Sequence, residues 1–198
     1  MKKTLILLGL SLVAALPVFA QHNEIDLLAG GAKAMKTLAG GKSDFQHGFE
    51  EISYGVSMEQ DTIFKIKLGR MNAKTTFASS AKDDKGNNIV APGDVDPKGQ
   101  VEYADAVIEY RFSEPFGSTG LFAGTGLYRQ SGTSTGGSTH PSGTHLQESD
   151  YGFVGGVNGL FPITRNVGIS AEAAYHWVHF YNPKPRYATI GVGLRLAF

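Results

Sequence analysis

The chain has 198 residues with 26 Gly, 12 Phe, 8 Tyr, 1 Trp and no Cys, and its 18 basic residues balance 18 acidic ones. The aromatic content excludes a disordered chain. The glycines, about twice their usual ~7% share, have no period of three, which excludes collagen. The single continuously apolar stretch lies at the start, which excludes a polytopic helical membrane protein. Without cysteine there is no disulfide framework and no thiolate metal centre. Zero formal charge offers no basic field for nucleic acid.

Lys2 and Lys3 precede an apolar run, Thr4 to Phe19, which ends in Val18-Phe19-Ala20. A basic start, a short apolar segment and small residues before the break form an export signal cleaved after Ala20. Residues 1–20 are therefore expected to be a signal peptide and residues 21–198 a single domain that has left the cytoplasm.

Alternation of period two predicts eight strands, over 24–32, 48–58, 62–71, 101–112, 120–130, 150–161, 167–180 and 187–198. They are longer than the ~5–6 residues usual in soluble proteins and match the ~9–11 of a tilted membrane strand. Odd-numbered connections (33–47, 72–100, 131–149) are long and polar, with 181–186 the shortest of them. Even-numbered ones (59–61, 113–118, 162–166) are short. Antiparallel strands in sequential order put all long connections at one rim and all tight turns at the other, the asymmetry of an outer-membrane barrel.

The strand faces agree. In the last strand Ala188, Ile190, Val192, Leu194, Leu196 and Phe198 share one apolar face, and Tyr187, Thr189, Gly191, Gly193, Arg195 and Ala197 form the other. The strand before it sets Val167, Ile169, Ala171, Ala173, Tyr175 and Trp177 against Gly168, Ser170, Glu172 and His176. An interior of glycine and ions turns the apolar band outward into lipid, and closure removes unpaired edges from hydrocarbon. The predicted fold is all-β: an eight-stranded antiparallel up-and-down transmembrane β-barrel. Its interior is filled by side chains.

The same parity directs Asp26, Glu51, Lys65, Lys67, Asp105, Glu109, Arg111, Glu172 and Arg195 inward. Charges in a narrow lumen are costly alone, so pairing is expected. A last hairpin turning near Pro183 and Lys184 would set Glu172 opposite Arg195, while Lys65 and Lys67 would meet Glu51 across the turn at 59–61. Tyr103 and Tyr187 would fill part of the lumen. Such a cluster reads as a structural plug, with an ion path or small pore as the alternative.

Chemistry beyond this is sparse. Gly132-Thr133-Ser134-Thr135-Gly136 spells a nucleophile elbow but lies in a Gly/Ser/Thr loop rather than a strand-to-helix turn. His140, His145, Glu148 and Asp150, and separately Asp94 and Asp96, are polar-loop residues more readily than cation ligands. No cofactor is indicated. A soluble lipocalin-like carrier would need large apolar side chains pointing inward, where this sequence sets glycine and charge.

Tyr151-Gly-Phe-Val-Gly-Gly-Val-Asn-Gly-Leu-Phe-Pro162, Val167 to Tyr175 and the terminal Tyr187 to Phe198 resemble the small outer-membrane β-barrel family. That family holds the transmembrane domain of outer membrane protein A and its Ail, Lom and Opa-type relatives. The resemblance spans the mature chain and implies an outer-membrane location, with long loops extracellular and both termini periplasmic. Ile190, Val192, Leu194, Leu196 and Phe198 resemble the carboxy-terminal signal read by the outer-membrane assembly machinery. The implied partners are the lipid bilayer, that machinery and an extracellular ligand at the loops, and the implied state is a monomer. The implied role is non-enzymatic: envelope structure or surface interaction. The enzymatic rival, a lipid A deacylase barrel, has a Ser two residues after its His, whereas Val178 follows His176 and Tyr181 follows His179. Tyr175, Trp177, Phe180 and Tyr181 are expected instead to anchor the barrel at the outer interface.

Overall fold

The structure, a computed structural model, describes residues 22–35, 47–73, 75–76, 82–83, 95–96, 99–134, 142–180 and 185–198. Eight long strands form the wall: β1 (Asn23–Ala34), β2 (His47–Ser57), β3 (Thr62–Asn72), β4 (Gln100–Glu114), β5 (Gly117–Thr133), β6 (His145–Pro162), β7 (Val167–Val178) and β8 (Arg186–Ala197). Each pairs antiparallel with its sequence neighbour. β8 also pairs with β1, from Glu24↔Ala197 to Ala34↔Tyr187, which closes the sheet. Closure gives every wall strand two hydrogen-bonded neighbours, as hydrocarbon demands.

Side chains alternate out and in along each strand because successive Cβ atoms leave opposite faces. On β8, Ile190, Val192 and Leu194 are about half or more exposed, at 53%, 62% and 49%. On the alternate face Gly191 and Arg195 are buried. Leu27, Ile52, Leu68, Ile108, Leu121, Val157 and Ile169 continue the outward apolar surface around the barrel. A soluble protein does not expose so continuous an apolar belt. The wall is a transmembrane β-barrel, lipid-facing outside and packed inside.

Several boundaries differ from the sequence expectation. β5 and β6 run 17 and 18 residues, so part of the expected 131–149 connection is strand. Its polar residues keep the alternation, with Gln130, Leu146 and Glu148 buried and Thr133, His145 and Gln147 exposed. Pairing continues up to Thr133↔His145. Outside lipid neither face is apolar, so hydrophobic period alone stops too early. The β4–β5 connection contracts to Pro115 and Phe116, since Glu114 pairs with Gly117. Lys82–Asp83 lies beside β6 at Gln147 and Leu146, and Thr75–Thr76 pairs with Val95–Asp96. The expected signal peptide, His140, Asp94, Tyr181 and the turn at Pro183 and Lys184 lie outside the described residues.

Candidate functional site

The lumen is the one place where the fold concentrates buried polar chemistry among the described residues, and it is stacked in layers. The layer nearest the tight turns holds Glu24 and Asp26 from β1, Lys65 from β3, Glu109 and Arg111 from β4 and Arg195 from β8. The Lys65 ammonium lies 2.8 Å from Glu24, 2.9 Å from Asp26 and 2.7 Å from Glu109. Arg111 grips both Glu24 oxygens at 2.9 and 3.0 Å and reaches Glu109 at 2.6 Å. Arg195 donates two bonds to Asp26 through Nε and Nη2, the second at 3.2 Å, and lies 3.6 Å from Glu24. Asn158 donates to Glu109 at 2.7 Å and Ser53 to Asp26 at 3.3 Å. Three carboxylates face three cations, so the layer is neutral, and forked Arg contacts are the strong form of such pairing.

One step further along the barrel, Lys67 on β3 bridges Glu51 on β2, at 3.0 Å, and Glu172 on β7. Its ammonium sits 4.2 Å from the centre of the Phe122 ring. Tyr103 donates to Glu51 at 2.6 Å, and Tyr128 donates to Asp105 at 2.9 Å. His176 Nδ1 lies 3.0 Å from the Tyr128 oxygen, and Nε2 lies 3.3 Å from Thr189 Oγ1. The phenol has one proton, given to Asp105. His176 must then carry its proton on Nδ1 and accept from Thr189 through Nε2. Above this polar layer Phe49, Met71, Val101, Val178, Phe180 and Tyr187 close the lumen toward the long connections.

All nine residues directed inward by parity are at most partly exposed, and eight of them are buried, Arg111 being intermediate. The pairing differs from expectation. Glu172 stands opposite Gly191, and Arg195 opposite Gly168, in a register offset by four residues from a turn centred at 183–184. Glu172 therefore meets Lys67, and Arg195 meets Asp26 and Glu24 instead. Lys67 does reach Glu51, but Lys65 is committed to Glu24, Asp26 and Glu109. Glu24 was missed. It has Asp26's parity and sat at the expected edge of the first strand. Of the aromatic and apolar upper layer only Tyr187 is expected from the sequence, so the lumen is not glycine and charge alone. Phe180, expected at the outer interface, is fully buried in that layer, whereas Tyr175 and Trp177 face outward, 39% and 44% exposed. The Arg186 guanidinium covers the Trp177 ring at 5.2 Å.

Glycines make room for these side chains. A Cβ on Gly69 would lie 2.3 Å from the Tyr103 ring, and one on Gly126 would lie 2.1 Å from an Asp105 oxygen. Among the described residues, no three His, Asp or Glu side chains converge as a metal site.

This combination of a closed eight-stranded wall, an apolar exterior and a paired-charge interior decides the fold. The chain has the fold of the small outer-membrane β-barrels. The attachment invasion locus protein Ail of Yersinia pestis is similar at 14% identity and a TM-score of 0.57, over 90% of this chain and 99% of that one. Neisserial surface protein A is similar at 17% identity and a TM-score of 0.60, over 89% and 96%. A major outer membrane protein of Thermus thermophilus is similar at 9% identity and a TM-score of 0.56, over 89% and 99%. No family model matches the chain, and no curated protein matches its sequence. At these identities the likeness is one of fold, and fold does not fix function.

Proposed function

We propose that the protein is a non-enzymatic barrel of the bacterial outer membrane, with termini periplasmic and long connections extracellular, that acts through surface contact. The observation that carries this reading is the β5–β6 hairpin. Its strands of 17 and 18 residues exceed the ~9–11 that span a bilayer, so they stand several residues beyond the wall. The projecting part is polar outside (Arg129, Ser131, Thr133, His145, Gln147 and Ser149) and is flanked by Lys82–Asp83. A paired, polar hairpin above the membrane is a presentation platform for an extracellular ligand. The neighbours named as an attachment invasion locus protein and a surface protein support the same reading by analogy.

The lumen charges, in this reading, are a structural plug rather than an ion path. Paired ions below, and above them a layer of Tyr, Phe, Val and Met in which Gln130 donates to Glu148 at 2.7 Å, support this reading. His176 supports the non-enzymatic assignment, because it points into the lumen and engages Tyr128 and Thr189, away from the lipid side where an acyl substrate would lie. Ile190, Val192, Leu194, Leu196 and Phe198 serve as the assembly signal, all exposed on the outer face or at the terminus of the last strand.

An epitope inserted at the turn Ser142-Gly143 tests the orientation. Antibody should label intact cells, and labelling only after permeabilisation would reverse the topology. Replacing residues 134–144 with a two-residue turn should abolish ligand or cell binding while the barrel still folds. Unchanged binding would remove the hairpin from the function.

A further inference from the structure

We propose that the lumen layer around Lys67 is a proton-binding site, in which Asp105 holds one proton at neutral pH and so ties the stability of the barrel to pH. This rests on the contents of the lumen alone, not on the surface role proposed above.

The two charged layers of the lumen differ in balance. Nearest the tight turns, Glu24, Asp26 and Glu109 face Lys65, Arg111 and Arg195, three acids to three bases. The next layer sets Glu51, Asp105 and Glu172 against Lys67 alone. Its other polar members are Tyr103 on β4, Tyr128 on β5, His176 on β7 and Thr189 on β8. The two phenols donate hydrogen bonds without charge. His176, with its proton on Nδ1 and Nε2 accepting from Thr189, is neutral. Among the described residues of this layer Lys67 is therefore the single cation. The three acids are at most 7% exposed, so water does little to screen their excess. Carboxylates crowded together out of water do not all stay ionised, and one takes a proton.

The wiring selects Asp105. Lys67 and Asp105 stand directly opposite one another on β3 and β4. The ammonium nonetheless goes to Glu51, at 3.0 Å, and to Glu172. Asp105 keeps the Tyr128 hydroxyl, at 2.9 Å from Oδ2, while His176 Nδ1 is 3.7 Å from that same oxygen. Its Oδ1 is buried and has no hydrogen-bond partner among the described residues. That oxygen lies against Gly126, which has no side chain to offer it a donor. A buried carboxylate without a counter-ion is the form that desolvation penalises, and neutralising it removes the penalty. A metal cation does not fit as the ligand instead, because no three His, Asp or Glu side chains converge among the described residues. A proton needs one oxygen.

The sign of the pH dependence follows. In the unfolded chain an aspartate releases its proton near pH ~4. From there up to the pH at which the layer ionises, the folded barrel binds one proton more than the unfolded chain. The contribution is fully present below about pH 4 and is lost as pH rises, the unfolding constant growing about tenfold per pH unit. Carboxylates held by ion pairs have the opposite sign and lose their contribution toward acid.

The full mature chain, refolded into phosphatidylcholine vesicles and verified by heat-dependent gel mobility, tests this by infrared spectroscopy and urea titration. At about pH 7, where exposed carboxyl groups are ionised, the folded wild type should show the carbonyl stretch of a protonated carboxyl. Isotopic labelling of the aspartate carboxyls should shift that band, which assigns it to an aspartate without any substitution. Asp105→Asn keeps the shape and the bond from Tyr128, and it should abolish the band. Between about pH 5 and 7 the wild-type unfolding constant should rise about tenfold per unit faster than that of Asp105→Asn. A folded wild type without a protonated carboxyl would overturn the proposal. So would a band that aspartate labelling leaves in place, or parallel pH profiles for the wild type and Asp105→Asn.

Discussion

The Lys67–Glu172 contact gives the sharpest test of how the lumen is wired. Lys67 is 1% exposed and serves two carboxylates, Glu51 and Glu172, from different strands. Replacing it with Met keeps the volume and removes the charge. Losing one partner of a buried pair costs about 3–5 kcal/mol, because the other charge stays buried without compensation. Here Tyr103 still donates to Glu51, so the orphaned group is chiefly Glu172 and the lower end, about 3 kcal/mol, is expected. Glu172→Gln added to Lys67→Met should recover part of that loss, with a coupling energy on the order of 1–3 kcal/mol. Arg195→Met should also destabilise strongly, through Asp26 and Glu24. Its combination with Glu172→Gln should be additive within about 0.5 kcal/mol, since the two residues share no partner. Urea titration of the barrel in vesicles reads these four variants and the Glu172→Gln single variant, with the single tryptophan, Trp177, half exposed on the lipid face as the fluorescence probe. Coupling between Arg195 and Glu172 as large as that between Lys67 and Glu172 would refute the register and the layering built on it.

Val192→Arg, in the middle of β8's outward row, should cost on the order of 2–4 kcal/mol in vesicle refolding, while Gly159→Ala, whose added Cβ meets nothing within 4 Å, should be near neutral. Equal refolding yields would invert the assignment of faces. Gly69→Ala should destabilise although it adds one methyl, because that methyl lands on the Tyr103 ring and pushes its hydroxyl off Glu51; an unchanged urea midpoint would show that Tyr103 can move freely. The refolded wild-type barrel should be silent in planar-bilayer recording. Stable ion-selective steps would replace the plug with the pore.

Architecture was legible in the sequence because the two signals that define it are local. Strict alternation over nine or more residues, as in Ala188 to Phe198, has one physical solution when the opposite face is glycine and charge. The alternation of long and short connections then orders the strands. The lumen set was legible for the same reason, since parity alone directs Lys65, Lys67, Asp105 and Glu109 inward. Parity would also have found Glu24, Tyr128 and Asn158 had the polar neutral residues and strand ends been sorted with the ions. The aromatic upper layer was harder to read. Phe49, Met71 and Phe180 are apolar residues on the inner face, and a sequence reader looking for lipid contact assigns apolar residues outward. Gly193 shows the converse limit. It reads as a harmless inward glycine, yet a Cβ there would lie 1.7 Å from the Leu27 carbonyl oxygen, so even Ala needs backbone movement.

The register error at the last hairpin has a general cause. A slip of one residue exchanges the two faces of a strand and is forbidden by burial. A slip of two or four preserves both faces, so hydrophobic pattern is blind to it. What resolves it here is closure. β8 is held between β7 and β1 at once, and in the observed register Asp26 lies directly opposite Arg195. There the guanidinium reaches both carboxylate oxygens. Sliding β8 by two residues would carry the pair roughly 7 Å apart along the strand and break the two-bond grip of Arg195 on Asp26, leaving Asp26 to Lys65 and Ser53. The ion pair that joins the first strand to the last is therefore a register pin for the whole ring. Loss of Arg195 or Asp26 should loosen closure itself, which a change confined to the outward face of β8 cannot do.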